Sequence, residues 1–216
     1  MDLDELCERL LAHYDVEGWW PHESKFEIMV GAMLTQQAAW DAVAKALGGL
    51  RGAGLLDIDA LADCAPERLG TIIRPAGFYK QKSHRIIALA RHLRDAHAGK
   101  LDFLSSGDLK TVRAELISLP GIGDETADAI LLFAGHRPKF VAAAYVLRTF
   151  DRTGVLSSGT YASAQNLVES RWPDDAVRYR DLYAACVQHC KTVCLTRPAC
   201  AACQLIDVCP YPLRRG

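Results

Sequence analysis

The sequence predicts an all-α protein, and three observations support this prediction. Apolar residues recur at spacings of three and four, as at Leu3, Leu6 and Leu10, which is the periodicity of an amphipathic helix. Alternating segments rich in β-branched residues, which would indicate strands, are missing. Glycine and proline, for example at Pro120-Gly121, fall between the helical stretches. We therefore expect about ten short helices.

The composition is typical of a globular protein. With 216 residues, half of them hydrophobic, the chain is long enough for one large or two small domains. It contains eight cysteines and opens MDLDELCERL, without the basic and apolar regions of a signal peptide. This favours a reducing compartment, with metal-bound or free thiols, and we expect a cytoplasmic location in a bacterial or archaeal cell. No apolar run approaches the roughly 20 residues of a membrane span, so we expect none.

Charge is distributed unevenly, although the formal net charge is only −1. Residues 1–27 carry eight carboxylates against Arg9 and Lys25. Residues 74–100 have the opposite character, with Asp95 as their single acidic residue and these basic residues: Arg74, Lys80, Lys82, Arg85, Arg91, Arg94 and Lys100. The basic segment could face phosphates, while a solvated helix face explains the charge equally well.

Residues 109–135 (LKTVRAELISLPGIGDETADAILLFAG) predict a helix-hairpin-helix. An apolar-periodic helix is followed by a tight turn at 119–123 and by a second helix that begins at Asp124. Glycines in the turn allow a partner to approach the backbone closely. The N–H groups at the start of the second helix could bind an anion such as a DNA phosphate without reading a base. The alternative is an ordinary hairpin between two core helices.

Four cysteines near the C-terminus predict a metal centre: Cys194, Cys200, Cys203 and Cys209, spaced C-x5-C-x2-C-x5-C. Thiolates select iron–sulfur clusters or zinc. Structural zinc sites usually present two separated ligand pairs, whereas here one CxxC is flanked on both sides at equal distance. We therefore expect a [4Fe-4S] cluster, with zinc as the alternative. We take the remaining cysteines to be small buried hydrophobic residues.

Together, the hairpin, the helix after it and the cysteine loop resemble the endonuclease III superfamily of DNA glycosylases. The resemblance covers nearly the whole chain and includes residues 30–40 (VGAMLTQQAAW), 76–87 (AGFYKQKSHRII) and 140–154 (FVAAAYVLRTFDRTG). One departure is the cysteine loop, where the family usually has one more residue between its first two ligands. Cys190 therefore remains an alternative to Cys194 as first ligand.

The resemblance implies two helical domains, with DNA and a pocket for a flipped base between them. Residues 25–136 would form a six-helix domain that contains the hairpin, and residues 1–24 with 137–216 would form the cluster domain. Such enzymes extrude the target nucleotide before they reach the glycosidic bond. Gln37, or its neighbour Gln36, would fill the gap. The expected DNA-binding residues are Gln36, Gln37, Lys80, Lys82, Leu119, Gly121, Ile122, Gly123 and Thr126. The cluster would hold a loop whose Arg197, with Arg214 and Arg215, approaches the phosphates.

Two positions bear on the chemistry that the resemblance implies. Bifunctional members carry a lysine two residues after the last glycine of the hairpin, where it forms a Schiff base with the sugar. This chain has Glu125 there, which cannot form that imine, so it resembles the monofunctional branch, in which water attacks the sugar. We expect Glu125 to be a carboxylate favoured by the helix dipole.

Ala143 stands at the second of these positions. Relatives read like V-V-D-A-Y over residues 141–145, and the aspartate stabilises the cationic sugar of the transition state. The chain as written therefore lacks the catalytic carboxylate and is expected to be inactive. Asp151 is no substitute, because eight helical residues place it about 12 Å further along the axis. Ala143 is either a deliberate Asp→Ala replacement or the mark of a natural non-catalytic relative.

Aromatic residues suggest which base is bound. Trp19, Trp20, Pro21 and Trp40 resemble the pocket of the 3-methyladenine glycosylase branch, with core packing as the alternative. An electron-deficient alkylated purine would stack well between such rings. We therefore expect excision of an alkylated purine, with uracil, mismatched thymine or an oxidised pyrimidine as alternatives.

The expected partner is double-stranded DNA with a damaged base, bound by a monomer. Two other classes of function remain. A non-catalytic lesion-binding protein is favoured by Ala143, and a cluster-based redox module is disfavoured by the hairpin and the basic segment.

Overall fold

The computed structural model describes residues 1–212 and is all-helical, without a strand in that range. Twelve α-helices follow one another along the chain: α1 Leu3–Leu11, α2 Lys25–Leu34, α3 Trp40–Gly52, α4 Ile58–Ala62, α5 Pro66–Ile72, α6 Tyr79–His97, α7 Phe103–Ser106, α8 Leu109–Ser118, α9 Asp124–Ala129, α10 Ala144–Thr153, α11 Tyr161–Arg171 and α12 Ala176–Thr192. None of the described helices is both long and apolar enough to span a membrane. The basic residues Arg214 and Arg215 lie outside the described residues.

The number of helices exceeds the expected ten because two of them are very short. α4 has five residues and α7 has four, so neither completes the two turns over which an apolar period can be recognised. α9 is also short, but the chain continues from it without a break as a π-helix, Ile130–Ala134.

Several helices begin where a capping side chain can accept a hydrogen bond from the first turn. Asp2, Ser24, Asp57 and Asp108 each accept from the backbone N–H three residues later, at 2.9–3.1 Å. These contacts satisfy donors that a helix leaves without an intrahelical partner.

Contacts divide the chain into two compact units. Residues 20–137 form one unit, and residues 1–19 with the described residues from 138 onward form the other. The predicted boundaries were residues 25 and 136.

The unit of residues 20–137 is built around α2 and α6. Every residue of α2 from Phe26 to Leu34 is buried, and this helix contacts α3, α6 and the π-helix. α6 buries Ile86, Leu89 and Leu93 and packs against α4 and α5. Through α2, this core contacts α9 and the π-helix, the second half of the helix-hairpin-helix.

The other unit is built around α12, which contacts α1 and α10. Its largest fully buried side chains include Tyr179, Phe140 and Phe150. Phe140 and Tyr179 meet edge to face, with ring centroids 5.7 Å apart. The cysteine loop follows α12 directly.

Candidate functional site

The hairpin turn joins α8 to α9 and depends on two glycines that differ in their surroundings. Gly121 has φ +82, and a Cβ on it would lie 2.3 Å from Cδ of Arg85. A side chain at Gly121 is therefore both strained and in collision with its neighbour. Gly123 has an extended backbone, and a Cβ on it would meet nothing within 4 Å. The protein itself does not require glycine at 123, so the open space there is available to a partner.

Interior contacts hold the turn in place. The Ile122 side chain is buried, and its N–H donates to Leu119 O at 3.1 Å. Arg113 on α8 pairs with buried Asp128 at 2.6 Å and with exposed Asp124 at 2.7 Å, both on α9. The hydrogen bond to Asp128 is the main reason why the pKa of Arg113 lies above its already high usual value, and the bond to Asp124 raises it further. Ile122, a predicted DNA contact, therefore anchors the turn through its side chain.

The two glutamines after α2 have different environments. Gln36 Nε2 donates to Gly121 O at 2.8 Å and to Thr126 Oγ1 at 3.0 Å. Gln36 and Thr126, both predicted DNA contacts, therefore bind each other and the turn through these groups. Gln37 is exposed and has a left-handed backbone with φ 53.

Lys82 was predicted to contact a phosphate, but its ammonium group is already engaged inside the protein. Its side chain is 3% exposed, and its ammonium group donates to three backbone carbonyls at 2.8 Å: Leu34 O, Gln36 O and Ala76 O. An ammonium group has three donors, and all three are used. Burial lowers the pKa of Lys82. Lys82 instead ties the end of α2 to the segment before α6.

Several other cations of the basic segment also bind groups of the protein itself. Arg91 Nε donates to Ala62 O at 2.9 Å, and Arg94 pairs with Asp63 at 2.7 Å. Arg85 packs against Gly121 of the turn. Lys80, another predicted DNA contact, is exposed.

By its place before the basic helix, Phe78 is a candidate pocket or strand contact, although a single aromatic residue there is more often a packing residue. It is 60% exposed and has φ 47, a conformation unusual for a bulky residue. An exposed aromatic ring on a strained backbone at the start of α6 is unfavourable unless something covers it.

The predicted aromatic residues divide into two groups. Trp20 meets Trp40 edge to face with centroids 6.0 Å apart, and it lies 4.9 Å from Phe133. Trp19 belongs to the other unit, where Lys191 lies 5.7 Å from its ring centroid. Pro21 is exposed. Phe133 was not predicted, because no motif marks it.

The indole N–H of Trp20 is buried and has no hydrogen-bond partner among the described residues. Buried polar groups in proteins are nearly always paired, so an exception requires an explanation. Gly31 lies behind this ring: a Cβ on it would lie 3.5 Å from Trp20 Nε1 and Cζ2. The ring thus rests directly on α2.

Ala143 is the N-cap residue of α10. It has φ −60 and ψ 169, its carbonyl accepts from the Leu147 N–H at 3.1 Å, and no side chain caps the helix. An aspartate in this backbone conformation would be placed to accept from the first turn. Asp151 has a local role instead: its Oδ1 accepts from the Ser158 N–H at 3.0 Å.

Glu125, in the first turn of α9, lies on the surface but is crowded by neighbouring protein atoms. The resulting loss of solvation raises the pKa of its carboxyl group.

All four predicted cysteine ligands line one cavity, together with Arg152, His189 and Tyr211. No disulfide joins them. Among the described residues, no three of these sulfurs lie within 4.8 Å of one another. Sulfurs around a single tetrahedral zinc would be about 3.8 Å apart, given Zn–S bonds of about 2.3 Å.

Cys190 lies beside this cavity and not among its lining residues. Its sulfur contacts Thr149 Oγ1 at 3.3 Å and Tyr145 O at 3.4 Å. A hydrogen bond with Cys190, followed by bonds with His189 and Arg152, lowers the pKa of Cys194 against the effect of burial. Cys194 is therefore readily available as a thiolate, the form that binds metals.

The model of the HhH-GPD superfamily of base excision DNA repair proteins matches residues 30–174. The chain belongs to this superfamily. The match spans the hairpin and position 143, and it confirms the family predicted from the sequence.

Relatives of the HhH-GPD chain support this membership. A Methanocaldococcus jannaschii protein, provisionally named a DNA repair glycosylase, is 36% identical over 203 residues, which is 93% of this chain and 92% of the relative. Endonuclease III of Thermotoga maritima is 28% identical over 158 residues, covering 72% of this chain and 69% of the relative. The superfamily consists of DNA glycosylases, which are hydrolases.

Solved structures share the fold of the HhH-GPD chain. The H. pylori 3-methyladenine DNA glycosylase bound to 1,N6-ethenoadenine matches with TM-score 0.73 and 27% identity, covering 88% of this chain and 98% of that one. A non-covalent endonuclease III–DNA complex matches with TM-score 0.81 and 22% identity, covering 99% and 94%. The predicted all-α helix-hairpin-helix fold is thereby confirmed.

Proposed function

We propose that the chain binds double-stranded DNA that carries a damaged base and is built as a monofunctional DNA glycosylase of base excision repair. The observation that carries this proposal is the hairpin turn. Its Gly121 is demanded by the fold, whereas the open space at Gly123 is suited to a strand that approaches the backbone. Membership of a glycosylase family supports the same conclusion.

Gln37 and Phe78 are the proposed residues that fill the gap left by a flipped nucleotide. Both are exposed and both have a left-handed backbone. Inserting a side chain into the base stack compensates for the stacking lost when a base leaves the helix. Gln36 is held by the hairpin and supports the turn instead.

An alkylated purine is the proposed substrate. Trp20 and Trp40 are electron-rich rings that can stack on an electron-deficient base. The H. pylori 3-methyladenine glycosylase, solved with an ethenoadenine, is similar over 88% of this chain. A uracil, mismatched thymine or oxidised pyrimidine is the alternative substrate.

Cys194, Cys200, Cys203 and Cys209 are the proposed ligands of a [4Fe-4S] cluster. The convergence of the four cysteines on one cavity supports this assignment. Such a cluster would supply a rigid cross-link for the C-terminal loop. The loop would then present exposed Arg197 to the phosphate backbone.

The reaction proposed for this scaffold is hydrolysis of the glycosidic bond without strand cleavage. Glu125 occupies the position at which a lysine would form a Schiff base, and a carboxylate cannot form one. A carboxylate at position 143 would stabilise the positive charge that develops on the sugar. Ala143 cannot do so, and we infer that the chain as written is catalytically silent.

A second candidate function is lesion binding without chemistry, and Ala143 is the observation that favours it. The two candidates share the DNA interface and differ only in whether the pocket can support catalysis once the carboxylate is present.

Base release separates the two candidates. Purified chain, Ala143→Asp and Ala143→Asn are each incubated with duplexes that contain 3-methyladenine, uracil or an oxidised pyrimidine. If the scaffold is a glycosylase, Ala143→Asp releases the alkylated purine at least about 100-fold faster than the unchanged chain. Ala143→Asn is the matched control, because it can cap the helix but carries no charge.

Binding of the same duplexes completes the test. If Ala143→Asp releases no base but all three proteins prefer a damaged duplex over an undamaged one, lesion binding without chemistry is the function. Equal affinity for damaged and undamaged duplexes, together with no base release, would overturn both candidates.

A further inference from the structure

Three side chains that the proposed function does not use converge at one point. His92 and His97 belong to α6, and Glu115 belongs to α8. His92 Nε2 lies 2.6 Å and His97 Nε2 lies 2.5 Å from the same oxygen, Glu115 Oε1. All three atoms lie within 4.8 Å of one another. Two imidazoles and one carboxylate therefore point their donor atoms into a volume the size of a metal ion.

Neighbouring contacts restrict the two rings. His97 stacks on Phe103 of α7, with centroids 3.7 Å apart and planes 8° from parallel. His92 and His97 meet edge to face, with centroids 5.7 Å apart. Rings held in this way lose little freedom when they bind an ion. The three side chains are 25%, 20% and 27% exposed, so an ion from solution can reach them.

We propose that His92, His97 and Glu115 form a binding site for a divalent transition-metal ion of the zinc type. Imidazole nitrogen suits zinc, cobalt, nickel and copper, whereas magnesium and calcium prefer sites made of oxygen alone. Two histidines and a glutamate form a known zinc ligand set that leaves a fourth position for water. Nothing in the proposed glycosylase function requires this ion. Failure of one proposal would therefore leave the other unaffected.

Only a small rearrangement separates this arrangement from a metal site. Metal–ligand bonds of about 2.0–2.2 Å place neighbouring ligand atoms of a tetrahedral site about 3.3 Å apart. The two nitrogen–oxygen distances of 2.6 and 2.5 Å must therefore open by less than about 1 Å. The ion would replace two hydrogen bonds to one oxygen with three bonds to itself.

A bound ion would join the last residue of α6 to the first helix of the hairpin. α6 ends at His97, and α8 runs from Leu109 to Ser118 directly before the turn. An ion that binds the folded chain alone also stabilises it. We therefore expect added Zn2+ to raise the thermal midpoint.

The test is a titration of the full chain with its cysteine-bound iron retained. Zn2+ binding is measured by calorimetry, and Co2+ difference spectra report the type of ligand. We expect one saturable equivalent, with visible cobalt bands and no thiolate-to-cobalt charge transfer. His92→Gln, His97→Gln and Glu115→Gln should each weaken binding at least about tenfold, because even the loss of an outer-shell partner costs that much. His84→Gln is the matched control, since His84 is an exposed histidine of the same helix.

Three results would overturn the proposal. The first is the absence of saturable binding below about 1 mM, which would be very weak affinity. The second is equal affinity in the three ligand variants and in His84→Gln. The third is a charge-transfer band that places the ion on cysteines. If the variants lose their helical circular dichroism, the site is tested instead by Cu2+ electron paramagnetic resonance of the unchanged chain. Splitting by two nitrogens supports the site, and its absence contradicts it.

Discussion

At the scale of single residues, the two glycines of the hairpin turn have different physical reasons to be glycine. Gly121 has a positive φ and no room for a Cβ beside Arg85, whereas Gly123 has ordinary extended backbone and open space. The first glycine is required by the folded protein. We attribute the glycine at position 123 to the close approach of a DNA strand.

Alanine at each glycine distinguishes these reasons. Gly121→Ala should lower the free energy of unfolding by more than about 1 kcal/mol, through backbone strain and the collision with Arg85. Gly123→Ala should leave stability nearly unchanged but weaken binding to duplex DNA. Urea unfolding measures the change in stability, and fluorescence anisotropy measures the change in affinity for duplex DNA. Wild-type DNA affinity in Gly123→Ala would show that no strand approaches that residue.

Lys82 shows how burial changes the meaning of a basic residue. Its ammonium group satisfies three carbonyl oxygens, one of them on Gln36. Lys82→Met keeps the length of the side chain and removes those donors. We expect a loss of about 3 kcal/mol in the free energy of unfolding, since buried carbonyls would lose their partners. Chemical denaturation measures it.

Lys80→Met is the control for Lys82→Met, since Lys80 is exposed on the same helix. Its stability should change by less than about 0.5 kcal/mol. Equal effects of the two substitutions would mean that Lys82 is not a structural cation.

At the scale of the element, α10 lacks the usual stabilising features at its start. It has no capping side chain and no acidic residue in its first turn. Its buried residues Val146, Thr149 and Phe150 hold it in place, and Gly154 in the left-handed region ends it. Packing and the C-terminal glycine therefore maintain this helix.

A capping side chain at position 143 should stabilise α10. Ala143→Asn and Ala143→Asp should each raise the free energy of unfolding by about 1 kcal/mol, because each can accept from the first turn. Differential scanning calorimetry measures the change. If both variants are less stable than the unchanged chain, the backbone at 143 is not that of an N-cap residue with room for a capping group.

At the scale of the whole molecule, we expect the proposed metal centre to determine whether the cysteine loop folds. The loop contains few apolar residues that are fully buried, Leu205 being the clearest case. A metal centre would supply the stabilisation that such a segment lacks.

Loss of one proposed cluster ligand should therefore cost both iron and stability. Cys200→Ser should give colourless, poorly soluble protein with a lower thermal midpoint, as judged by iron analysis and a melting curve. Cys64→Ser is the matched control, because Cys64 is a buried cysteine of the other unit and donates to Ala65 O. Full iron content in Cys200→Ser would contradict the assignment of this ligand.

The sequence by itself determined the helical class, the hairpin, the cysteine loop and the family. Each of these is written in short, contiguous patterns: an apolar period, a glycine turn and a cysteine spacing. Such patterns act through local backbone geometry, which requires no knowledge of distant residues.

Only the tertiary structure decided where individual polar and aromatic side chains go. It buried Lys82 against carbonyls from two segments, engaged Gln36 and left Gln37 exposed. It also brought together Trp20, Trp40 and Phe133, and His92 with Glu115. The partners in these contacts are far apart in the chain or on different helices. Packing of the whole unit determines these contacts, and the spacing of residues along the sequence does not predict them.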